Sequence, residues 1–65
     1  MDNTTRLIMM LSREFDKTTE TIDNKQMLMN LSQSYKEKAE YAVQIAELVD
    51  YLEVLYNLAL EIMEG

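Results

Sequence analysis

The sequence has no cysteine, no histidine, no proline and no tryptophan, and its single glycine is the last of its 65 residues. Each absence excludes something. Without cysteine there is no disulfide to staple a small fold and no thiolate nucleophile. Without histidine there is no imidazole for proton transfer near neutral pH, so Ser12, Ser32 and Ser34 have no triad partner. A structural zinc site loses both of its usual ligand types. With no proline and no internal glycine, nothing in the composition forces a helix to stop. Nor is there a G-x-x-x-x-G-K-[ST] phosphate loop, a G-x-G-x-x-G turn or an EF-hand calcium loop. These gaps point to a non-enzymatic protein without metal or cofactor.

Basic charge is also scarce, with six Lys and Arg against twelve Asp and Glu and a net charge of −6. Residues 1–38 hold all six basic groups and six acidic ones, so they cancel. The excess therefore belongs to Glu40, Glu47, Asp50, Glu53, Glu61 and Glu64. An acidic chain is a poor match for nucleic acid phosphates or anionic lipid, so neither partner is expected. A basic protein is the partner such a field attracts.

Long uninterrupted hydrophobic runs are missing too. Leu7 to Leu11 is only five residues, too short for a signal peptide. The stretch from Tyr41 to Met63 could span a bilayer by length, but it carries four carboxylates. Each would cost about 2.5–3.5 kcal/mol near the membrane centre. A soluble, cytoplasmic protein is expected.

What is present is a helical sequence, rich in Leu, Met, Glu, Ala and Lys, that makes one small domain over residues 1–65. An all-α fold is predicted, with the chain folded as a helical hairpin. Asp2, Asn3 and Thr4 are candidate caps for the first helix. Ile8, Phe15, Ile22 and Met29 recur every seven residues along its apolar stripe.

Two positions compete for the turn. Thr18, Thr19 and Thr21 are weak helix formers, and Asp23 with Gln26 forms a capping box behind them. That pattern predicts a short helix, about 4–18, and a long one, about 24–63, and it is the preferred reading. The alternative places the turn at Ser32-Gln33-Ser34, where Ser34 and Glu37 form an S-x-x-E box. It predicts near-equal helices, 4–31 and 35–63. It also brings Arg13 near Glu53, Lys17 near Asp50, Arg6 near Glu61, Leu11 near Leu55 and Ile22 near Ile45.

The second half carries a heptad pattern. Leu28, Tyr35, Ala42, Val49, Tyr56 and Met63 form one series, and Leu31, Lys38, Ile45, Leu52 and Ala59 the other, with Lys38 the only polar member. These ten apolar residues are the predicted core or oligomer seam. Tyr41, Leu48, Leu55 and Ile62 form a further row that widens the apolar face, as a bundle helix requires. From Tyr41 to Met63, seventeen of twenty-three positions are apolar, more than one short helix can cover. A dimeric or heteromeric helical bundle is therefore expected.

Val43, Tyr51, Val54 and Leu58 form a ridge among Glu47, Asp50, Glu53 and Glu61, which together are the predicted partner-binding residues. Apolar residues ringed by charge are a usual composition for docking. The predicted function is protein–protein interaction through the apolar C-terminal helix, as a chaperone, co-chaperone or assembly partner. In length and two-helix plan the chain resembles the small helical partners in needle-subunit chaperone complexes of type III secretion, a likeness of pattern with no motif behind it. The resemblance implies that the hairpin sheathes another protein's apolar helix. The alternatives are a phage- or plasmid-type inhibitor that presents acid to a basic groove and, further off, a small hairpin that regulates RNA or DNA.

Overall fold

Asp2 starts the first helix. Its carboxylate accepts the Thr5 N–H at 2.8 Å, which satisfies one of the donors that a helix leaves unpaired at its start. From there α1 runs Asn3–Leu31 and α2 runs Tyr35–Glu64 in the computed structural model, which describes residues 2–65. The two helices pack against each other as a hairpin, and no strand occurs among the described residues.

The preferred break at 18–24 does not form, and helices of 4–18 and 24–63 are replaced by the near-equal pair. The threonines explain why. Thr18, Thr19 and Thr21 donate their hydroxyls to the carbonyls of Glu14, Phe15 and Lys17, four residues back, at 2.8, 2.9 and 3.0 Å. These back-bonds satisfy the hydroxyls inside the helix without breaking it, although they add nothing to its stability. Thr18 and Ile22 are also buried against α2, so packing outweighs the weak propensity of the segment.

Serines make the turn at 32–34. The Ser32 N–H closes α1 by donating to the carbonyls of Leu28 and Met29, after which its backbone is extended. Ser34 caps α2, its hydroxyl accepting the Glu37 N–H at a long 3.5 Å. The Glu37 carboxylate accepts from the Ser32 hydroxyl at 2.6 Å, which ties the end of α1 to the first turn of α2.

The seam between the helices is narrow. Ile22 and Leu55 are its buried apolar residues, and Thr18 is buried beside them. Ile8, Leu11 and Met29 flank them on α1, with Tyr41, Ile45, Leu48, Leu52, Ala59 and Ile62 half-buried on α2. The predicted α1 stripe is therefore the one used, with Phe15 at its exposed edge.

On α2 the hairpin divides the expected core or oligomer seam. Ile45, Leu52 and Ala59 turn to α1 together with the row Tyr41, Leu48, Leu55 and Ile62. The other series, Leu28, Tyr35, Ala42, Val49, Tyr56 and Met63, stays exposed in the hairpin, as does Leu31. Both rows are apolar, and the three-residue turn sets which of them the rotation of α2 brings inward.

Polar links follow the same register. Lys25 donates its ammonium to the Gln44 side-chain carbonyl at 2.8 Å, and the Tyr51 hydroxyl donates to the Glu14 carboxylate at 3.3 Å. These are the cross-helix side-chain hydrogen bonds among the described residues.

Candidate interaction surface

A hairpin of two helices can turn only one stripe of each inward, and that limit defines the surface. Fifteen large apolar residues remain exposed among those described, against the two that are buried. The folded chain presents 5263 Å² to solvent. A compact monomer of this mass would present about 4,300 Å². The difference, about 1,000 Å², is close to what one partner gives up in a standard protein interface. The cause is shape: the hairpin is 49 Å long and 9 Å thin.

Two apolar tracts run along α2 outside the seam. The first is the predicted ridge on its outer side. Val43 and Val54 lie open on the back of the helix with Glu47, Asp50 and Glu61 exposed around them. Tyr51 and Leu58 are exposed on the shoulder nearer α1. Glu53, three residues before Tyr56 and four after Val49, lies with the other tract by helical spacing. The structure thus brings seven of the eight predicted partner-binding residues to one broad side and sets Glu53 apart.

Tyr51 is less free than the sequence suggests. Its hydroxyl bonds to Glu14, and its phenol is pushed above the ordinary tyrosine value, first by desolvation and then by the adjacent carboxylate. Sequence reasoning did not assign Glu14, Lys25 or Gln44 to any contact. Their signal was positional, since a turn at Gln33 brings each pair to roughly the same level.

The second tract is Tyr35, Ala42, Val49, Tyr56 and Met63, about 90° around α2 from the seam by helical geometry. Tyr35 is 89% exposed and Met63 63%. Beside it opens a shallow groove of about 240 Å³, lined by Ile8, Leu11, Phe15, Leu55, Tyr56 and Ala59. Tyr56 therefore belongs to both the tract and the groove wall.

Chemically these surfaces offer apolar contact edged by carboxylates. Among the described residues, no group of carboxylates is arranged to hold a metal ion, so Glu47, Asp50 and Glu53 do not converge. No helix among them is long and apolar enough to cross a membrane. The chain matches no protein-family model, no curated protein and no solved structure.

Proposed function

We propose that this protein is a non-enzymatic interaction module, an acidic helical hairpin that binds another protein through the apolar surface of α2. Its role is that of a chaperone, co-chaperone or assembly partner, lending α2 to an apolar helix that would otherwise face water. One observation carries the reading: Ile22 and Leu55 are the only buried apolar side chains among the described residues, while fifteen large ones stay exposed. Exposed apolar area on that scale marks interaction surfaces. A core of two residues also contributes little stability unless a partner adds to it.

The test is purification of the tagged chain from its native host, followed by reconstitution with any stoichiometric companion. The expected result is a defined complex in which the hairpin melts at higher temperature than alone, as mass action requires of a ligand of the folded state. A chain that stays monomeric, cooperatively folded and unable to bind an apolar fluorescent dye, with no companion, would end the reading.

A second reading has its own support. The carboxylates Glu47, Asp50 and Glu61 are exposed on the outer side of α2, Glu53 is exposed on the neighbouring tract, and α2 holds seven acidic residues against two lysines. Such a face would suit an inhibitor that fills a basic groove. Ionic strength separates the two, since acid-led binding weakens steeply with salt and apolar sheathing hardly responds.

A further inference from the structure

The tract Tyr35, Ala42, Val49, Tyr56 and Met63 is left over by the hairpin, and its order of sizes is informative. Reversed end for end, the row places Tyr35 opposite Met63, Ala42 opposite Tyr56 and Val49 opposite itself. Each large side chain then meets a smaller or flexible one, and the smallest residue of the row lies over the tyrosine. Run in the same direction and in register, the row would set tyrosine on tyrosine and alanine on alanine, giving a bulge and a hole in turn.

Charge favours the same arrangement. Lys38 is the basic residue beside this row, and after it α2 carries acidic groups alone. End-for-end pairing brings Lys38 within a turn of Glu64 of a second copy, twice by symmetry, whereas same-direction pairing puts Lys38 against Lys38. Opposed helix dipoles act in the same sense.

A patch that fits itself under a two-fold rotation is what an isologous dimer requires.

We infer that the second copy of this chain is the occupant of the Tyr35–Met63 tract, in an antiparallel two-fold dimer centred on Val49. This rests on the interaction reading above and deepens it by assigning each tract. Because the tract lies about 90° from the seam, the two hairpins close into a four-helix bundle with the α2 helices side by side. The groove beside Tyr56 comes to face Ala42 of the second copy. The outer ridge, with Val43, Val54, Glu47, Asp50 and Glu61, stays open for a different protein.

The absence of cysteine makes the geometry directly readable. Sedimentation equilibrium of the full chain at tens of micromolar should give twice the monomer mass. Under mild oxidation, an equal mixture of Ala42→Cys and Tyr56→Cys chains should crosslink mainly to the mixed species, while neither variant alone crosslinks efficiently. Val49→Glu, which sets two carboxylates on the axis, should weaken the dimer at least tenfold. Lys38→Glu should weaken it less, and adding Glu64→Lys should restore it. Ala42→Cys chains that crosslink to themselves in preference would overturn the arrangement in favour of parallel pairing. A monomer with no crosslinks would overturn the dimer altogether. The interaction reading would still stand if that monomer formed the reconstituted complex, and would fall with it if no complex formed.

Discussion

The two helices are nearly equal in length, 29 and 30 residues, and differ in almost everything else. In α1 four basic and four acidic residues cancel; Ile8, Leu11, Ile22 and Met29 line the stripe that α2 covers, while seven large apolar side chains stay exposed. Seven acidic residues against two lysines burden α2, which is apolar on the seam, on the Tyr35–Met63 flank and along the outer ridge. Both helices keep large apolar side chains outside the seam, but on α2 they form continuous rows and the net charge beside them is acidic. On the second helix net acidity and exposed apolar side chains occur together, a composition in which charge offsets the tendency of apolar surface to associate.

That contrast can be broken most directly at the seam. Leu55→Ala should cost about 2–5 kcal/mol, the usual range for truncating a buried leucine. A core this small supplies about 3–5 kcal/mol at best, so cooperative thermal unfolding by circular dichroism should vanish. Val49→Ala on the exposed flank should leave the hairpin itself unchanged, and an equal loss at both sites would remove the distinction between used and unused faces. Next in size is the turn. Ser34→Ala removes the cap of α2 and should cost about 1 kcal/mol by chemical denaturation. If the cost were negligible, the Ser32–Glu37 bond alone would define the start of α2.

Thr18→Val asks whether the buried hydroxyl does anything beyond satisfying itself. Its bond is to the Glu14 carbonyl of the same helix, so replacement by a methyl should be neutral or stabilising, by under about 1 kcal/mol. A clear loss would assign Thr18 a role across the seam.

The smallest effects are at the extremes of pH. Tyr51 has its folded pKa raised, so its contribution is present below the ordinary tyrosine value near 10 and is lost as pH rises through the folded value. Tyr51→Phe should abolish that alkaline loss, read from the helical signal between about pH 9 and 12. Asp2 behaves in the opposite sense. Hydrogen bonding to Thr5 lowers its carboxyl, so its support of α1 holds above the ordinary aspartate value and disappears as pH falls through the folded one. Asp2→Ala should fray the first turn at neutral pH and leave nothing further to lose there in acid.

Much of this was readable from residue order, and particular residues show where it stopped. The heptad of Ile8, Phe15, Ile22 and Met29 pointed to the α1 face that α2 now covers, because the other positions around it are mostly polar. The Ser34–Glu37 box located the turn as one of two options. Local propensity favoured the wrong one, since three threonines look like a break until their hydroxyls find carbonyls four residues back. On α2 the row through Leu55 and the row through Val49 are both apolar and both periodic. Composition could not rank them. For the candidate surface, Val43, Tyr51, Val54, Leu58, Glu47, Asp50 and Glu61 lie exposed on one broad side of the hairpin, while Glu53 lies with the other tract. Sequence reasoning did not foresee that Glu14 would tie down the Tyr51 hydroxyl.

Helical content, the excess acidity of the second half and a surplus of apolar surface follow from the residues alone, because they depend on composition and period. Which apolar row turns inward depends on the rotation of one helix about its axis relative to the other. That rotation is set by a three-residue turn and by contacts between side chains far apart in the chain, and only the folded structure decided it.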